Sequence, residues 1–147
     1  MNLGETAIRR ATVHDYSLCF PLLNSLYHGD IGTDFRKVFE SYVVGDGSVV
    51  LLAQSKSELV GILIGSFHKD IDWEGEIARI DAIFVNEKHR RREIGKKLAQ
   101  HFLTLAKRRR CKAVKSRVNI KNRAAQEFHE SLGFAKADTY EYILEFS

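Results

Sequence analysis

The amino-acid sequence predicts an α/β fold: a mixed, mostly antiparallel central sheet with flanking helices, formed as a single domain over residues 1–147. Three observations carry the prediction. Three strand-like runs with short polar connections lie together in the middle of the chain, two amphipathic helical patterns precede them, and helix and strand patterns alternate after them. With 147 residues, 44% of them apolar, the chain has material for one core and little for a second.

Thr6–Arg10 is a short strand candidate. Thr12-Val13-His14-Asp15 fits a capping box, in which the threonine side chain and an acid three residues on satisfy each other's backbone amides, so a helix is expected through about Tyr27. Leu18, Cys19, Leu22, Leu23 and Leu26 form its apolar face, and Pro21, the only proline, should bend it. A break at Gly29–Gly32 precedes a second helix over about Asp34–Val44, with Phe35, Val38, Phe39 and Tyr42 on one side. Three strands follow, Ser48–Gln54, Leu59–Phe67 and Glu76–Val85, and their short connections imply antiparallel neighbours. Ile94, Leu98, Phe102 and Leu105 then recur at helical spacing from Glu93 to about Lys107. Ala113–Val118 is a strand, Arg123–Leu132 a helix capped by Asn122 and closed by Gly133, and Ala135–Phe146 one or two final strands.

The net charge of +4 conceals an uneven distribution. Between Lys88 and Arg123 lie 15 of the 23 Lys and Arg and one acid, Glu93; this stretch carries +14 and the remainder −10. Two cysteines without CxxC spacing and six dispersed histidines without HExxH give no metal site. No apolar run approaches the roughly 18 residues that span a bilayer, and Met1–Arg10 lacks an apolar signal core, so a cytoplasmic protein with no membrane partner is expected.

The strand ending Asp81-Ala82-Ile83-Phe84-Val85, the loop with Arg90, Arg91 and Arg92, and the helix opening at Ile94-Gly95-Lys96 make a strand, a basic loop and a helix N-terminus. Such a combination suits anions, because first-turn amides lack intrahelical partners and sit at the positive end of the helix dipole, while arginines add charge-assisted forks. Neither GxxxxGK[S/T] nor GxGxxG occurs, so the anion site is not a P-loop or a dinucleotide fold.

Arg79–Val85 followed by Arg90-Arg91-Arg92-Glu93-Ile94-Gly95-Lys96 resembles the coenzyme motif of the GNAT family of N-acetyltransferases, Gln/Arg-x-x-Gly-x-Gly/Ala. Some thirty residues on, the run from Asn122 through Ala125, Phe128 and His129 to Gly133-Phe134 resembles the family's second motif, Asn-x-x-Ala-x-x-Phe/Leu-Tyr-x-x-x-Gly-Phe. Both stand in the family's order and spacing. The resemblance implies a GNAT-like fold and an acetyl-CoA-dependent acyltransferase that moves acetyl to a primary amine by direct attack in a ternary complex. It assigns the pyrophosphate to Arg90, Arg91, Arg92, Glu93, Ile94, Gly95 and Lys96, the pantetheine arm to the backbone of Ile83, Phe84 and Val85, and a place along that arm to Asn122. Two positions depart from the pattern. Glu93 stands where the motif has its first glycine, which would cost about 1–2 kcal/mol if the backbone is left-handed there. His129 stands where the family has the tyrosine that protonates the leaving thiolate; imidazole can do the same near neutral pH, and a packing histidine is the alternative.

Deprotonating a lysine-like amine near pH 7.4 costs roughly 4 kcal/mol, so a base is expected. Asp81, at a position where several relatives carry an acid, is the first candidate and Glu76 the second; an ion pair of Asp81 with Arg79 or a loop arginine is the alternative. Asp70, Asp72, Trp73 and Glu74, with Tyr27, His28 and Asp30, form an acidic and aromatic rim suited to a cationic acceptor such as a polyamine, an aminoglycoside or a protein or peptide amine; a solvated hairpin tip accounts for the same residues. Two rival functions remain. Clustered Lys107–Lys112 and pI near 9.1 would suit a nucleic-acid-binding module, with Gly29-Asp30-Ile31-Gly32 at the spacing of a KH loop but carrying a repelling acid; the same cluster is also what a solvated helix end looks like. A catalytically idle acyl-CoA-binding protein of the same fold is the other. Tyr140, Tyr142, Leu144 and Phe146 fall on one strand face, which would either pack internally or form a homodimer interface.

Overall fold

A computed structural model describes residues 6–90 and 93–147; Arg91 and Arg92 lie outside the described residues. The chain divides into two compact units, 1–117 and 118–147.

The first unit is built on a five-stranded sheet in the order of the sequence: β1 (Thr6–Arg10), β2 (Ser48–Ser55), β3 (Glu58–Asp70), β4 (Gly75–Val85) and β5 (Val114–Ser116). The first four pair antiparallel and β4–β5 pair parallel. That arrangement follows from connection length, because two- and four-residue turns join β2–β3–β4 whereas a helix must carry the chain back to lay β5 parallel. The helices are α1 (Tyr16–Leu26), α2 (Phe35–Val44) and α3 (Ile94–Arg108).

Alternation along the strands divides the core into two layers. Val50, Leu52, Ile62 and Ile64 face Cys19, Leu22 and Leu23 of α1 and Phe39 of α2. On the other face lie Gly61 and Gly65 of β3, against which α3 packs. A methyl group on Gly61 would come within 3.0 Å of Leu98 and one on Gly65 would collide with the Phe102 ring. Both side chains, with Ile94 and Ala99, are fully buried, so the two glycines let α3 approach the sheet closely.

The capping box at Thr12 forms as expected, with the Thr12 amide donating to Asp15 Oδ2 at 2.7 Å, although it opens a 3₁₀ turn, Val13–Asp15, that leads into α1. Asp15 also takes a two-pronged contact from Arg9 at 2.9 Å on each oxygen. Arg9 and then the Thr12 amide hold its carboxyl well below the usual carboxylate range against the opposing effect of burial.

In the second unit, α4 (Arg123–Ser131) is capped by Asn122, whose Oδ1 accepts from the Ala125 amide at 3.0 Å. Gly133, at φ +96°, turns the chain out of the helix, as its position predicts. The final strands expected over Ala135–Phe146 do not form, and residues 135–147 carry no regular secondary structure. Their alternation of large apolar residues is a strand signal, but a strand exists only through a neighbour's hydrogen bonds, and the sheet ends at β5.

Candidate active site

The site grows out of an irregularity in β4. Along the β3–β4 ladder Ile64 faces Ala82 and Gly65 faces Ile80, so Asp81 is the extra residue of a β-bulge, and such bulges re-aim side chains. On the opposite edge of β4, β5 pairs over Ala78, Arg79 and Ile80 and then stops. From Asp81 to Val85 that edge is not paired with β5. Ile83, Phe84 and Val85 lie on it.

Past Val85 a 3₁₀ turn, Glu87–His89, capped by Asn86, leads to Arg90. Arg90 Nε donates to the Val85 carbonyl at 3.1 Å and its guanidinium lies over the Phe84 ring, 5.3 Å from the centroid. The arginine is thereby held at the end of that edge of β4. Glu93 precedes α3 in the left-handed region, φ 59° and ψ 16°. A glycine would adopt this conformation without strain, and the exposed Glu93 side chain makes no capping bond. Ile94, Gly95 and Lys96 form the first turn, which contains no acid, and helix geometry leaves their amides without intrahelical acceptors. A cleft of about 660 Å³ runs beside this end of β4, lined by Leu18 and Leu22 of α1 and by Phe84, Asn86 and Arg90 among others.

Asp81 is held by a partner that the sequence did not point to. Ser66 Oγ, on a buried residue of β3, donates to Asp81 Oδ2 at 2.6 Å, and His68 Nε2 lies 2.7 Å from the same Oγ. Tyr42 of α2 and Tyr27 after α1 stand on the same side of the sheet. Burial and then the Asp81 charge push both phenols above their ordinary range. The ion pair of Asp81 with Arg79 weighed above does not occur among the described residues. The signal that could have flagged Ser66 is that it is a polar residue at the end of the apolar run of β3, with His68 two positions on and so on the same face.

Glu76 is engaged elsewhere. Its two oxygens take bonds of 2.7 and 3.1 Å from Arg109, and that arginine lowers its carboxyl. Arg109 also donates to the Asp46 carbonyl at 3.0 Å and stacks over Phe67 at 4.1 Å. Asp70, assigned above to the acceptor rim, pairs with Lys115 at 3.2 Å and accepts from the Asp72 and Trp73 amides, so it shapes its own turn. In the second unit, the Asn122 side chain is the helix cap already described, and His129 is buried, with Nδ1 2.8 Å from the Ala125 carbonyl and its ring edge-on to Phe134 at 5.3 Å. Cys19 is buried and its thiol is pushed up to about 12, chiefly by that burial, so it is no nucleophile. No helix among the described residues is long and apolar enough to cross a membrane.

Comparisons with known proteins give the family and the fold. A family model described as the acetyltransferase (GNAT) family matches residues 10–134. Among solved structures, the aminoglycoside acetyltransferase AAC(6')-Iy in complex with a bisubstrate analogue superposes with a TM-score of 0.87 at 18% identity, covering 97% of this chain and 99% of that one. AAC(6')-Ih from Acinetobacter baumannii gives 0.84 at 20% identity, with 97% and 99% covered. Ribosomal-protein-alanine N-acetyltransferase from Brucella melitensis biovar Abortus 2308 gives 0.80 at 21%, with 95% and 99% covered. At these identities the likeness is one of fold. No curated protein matches the sequence.

Proposed function

The chain belongs to the acetyltransferase (GNAT) family, whose cosubstrate is acetyl-CoA, and from that premise we propose that it acetylates a cationic primary amine at Asp81. The observation that carries this reading is the edge of β4 left unpaired by β5, which runs from the carboxylate of Asp81 to Val85, followed along the chain by the N-terminus of α3 at Ile94.

The residues present fit an acyl-CoA. The β4 backbone at Ile83, Phe84 and Val85 would bond the amides of the pantetheine arm. The amides of Ile94, Gly95 and Lys96, with Arg90 and the neighbouring Arg91 and Arg92, would hold the pyrophosphate, where charge-assisted bonds are strongest. When bound, acetyl-CoA supplies the thioester carbonyl that the amine attacks. Asp81 attracts the ammonium form of the acceptor and takes one of its protons, so that a lone pair is free to attack. Tyr42 and Tyr27, packed on the same side and aromatic, favour a cation over a neutral acceptor. Because the amine attacks directly, no enzyme nucleophile is needed, which accords with the inert Cys19.

The acceptor class best supported is a polycationic small molecule, a polyamine or an aminoglycoside, ahead of a protein or peptide amine. The favouring point is local: the acid and two tyrosines are gathered within one short stretch of sheet and helix rather than along an extended peptide track. For His129, the contact of Nδ1 with a backbone carbonyl supports a packing role; acting as the acid that protonates the departing thiolate would require a proton on Nε2.

Calorimetric titration with acetyl-CoA tests the coenzyme half of the reading. Wild type should bind, and replacing Arg91 and Arg92 together by alanine should weaken binding at least about ten-fold, the worth of one or two charge-assisted bonds. Absence of binding, or binding indifferent to the pair, contradicts it.

A further inference from the structure

We propose that Ser66 and His68 are positioning residues for the reaction, forming a hydrogen-bonded chain that orients Asp81; the proposal rests on the assignment of Asp81 as base. The observations are geometric. His68 Nε2, Ser66 Oγ and Asp81 Oδ2 are joined by contacts of 2.7 and 2.6 Å. Ser66 is buried and His68 exposed, so the chain leads from solvent to the bulge in β4.

A hydroxyl has one hydrogen. With Asp81 ionised, that hydrogen goes to Oδ2, and Ser66 Oγ must then receive its second bond from His68, whose Nε2 carries the proton. The order of donation is thus His68 to Ser66 to Asp81. Each bond favours the charged form of the acid at its end. A proton leaving the substrate nitrogen is taken by the Asp81 carboxylate, which Tyr42 also meets: the N–H bond breaks, its electron pair stays on nitrogen, and an O–H bond forms at Asp81. The proton returns to solvent when products leave.

Other groups act on the same cluster: Arg79 on β4, Tyr42 on α2, Tyr27 after α1, and Glu76, whose charge His68 already influences. None of them shares the Ser66 hydroxyl, which is the coupling that sets His68 apart.

The test is the pH profile of kcat/KM for the best amine, with acetyl-CoA affinity and melting temperature measured alongside. Ser66→Ala should lower kcat about ten-fold, the value of one bond to a charged group, move the acidic limb to higher pH, and leave acetyl-CoA binding unchanged. Ser66→Thr, which keeps the hydroxyl, should restore both rate and limb. His68→Ala, at an exposed position that does not threaten the fold, should shift the limb in the same direction with a smaller loss. In an Asp81→Asn background neither substitution should have a further effect. If Asp81→Asn abolishes turnover but Ser66→Ala and His68→Ala keep the wild-type profile, the positioning role is overturned and the base assignment stands. If Asp81→Asn itself turns over normally, the base assignment fails first and the positioning role with it.

Discussion

At the scale of single residues, Glu93 is the most informative departure from the family pattern. It adopts a left-handed conformation at the position where the motif has its first glycine, at a cost of about 1–2 kcal/mol, partly offset by roughly 0.3–1 kcal/mol from an acid at a helix N-terminus. Glu93→Gly should therefore change stability little, while removing a carboxylate from the proposed coenzyme cradle. Acetyl-CoA should bind about five-fold more tightly, from about 1 kcal/mol of relieved repulsion; weaker binding would mean that Glu93 contacts the ligand favourably. Asp15 makes a second residue-scale prediction. Its native carboxyl is held below its ordinary range by Arg9 and the Thr12 amide, so its contribution to stability is complete above pH about 4 and is lost as pH falls further. Asp15→Asn should cost about 1–3 kcal/mol at neutral pH and flatten the decline of stability in acid, read by denaturant unfolding across pH. An unchanged acid slope would show that other carboxylates govern it.

At the scale of elements, β3 and α3 form the seam on which the site depends, because α3 must sit close to the sheet for its N-terminus to follow the end of β4. Gly65→Ala should push the Phe102 ring out of place, lowering stability by about 1–3 kcal/mol as overpacked cores do, and Phe102→Leu should recover much of that loss in the double variant. Simple addition of the two losses would refute the contact. Element order, nearly every helix and strand, and both caps at Thr12 and Asn122 were legible in apolar spacing and connection length. The Ala135–Phe146 strands were misjudged because alternation signals an amphipathic extended chain and cannot show whether an edge is there to bind it. Ser66 and His68 escaped notice for a related reason: their link to Asp81 depends on a bulge in the ladder, a register shift that no residue spacing reveals. Glu76 was legible as a strand acid but not as Arg109's partner, since 33 positions separate them.

At the scale of the whole molecule, the +14 segment resolves into parts with different duties. Arg90 through Lys96 belongs to the candidate coenzyme cradle, whereas Arg109 holds Glu76 and Phe67, and Lys115 holds Asp70. Arg109 and Lys115, held by specific acids, are poor material for a nucleic-acid surface, whose affinity comes from free Lys and Arg on phosphates; Lys107, Arg108, Arg110 and Lys112 of the same cluster are exposed. What remains is an acetyltransferase fold whose acid sits at a strand bulge, one bond from a buried serine. The measurement that bears most directly on it is amine-dependent release of the CoA thiol over a panel of polyamines, aminoglycosides and peptides, run on wild type and Asp81→Asn at matched acetyl-CoA saturation. The account predicts release with a polycationic amine and a loss of about 10²–10⁴-fold in Asp81→Asn, with acetyl-CoA affinity unchanged. Release with no amine of the panel, or equal turnover by the two proteins, would contradict it.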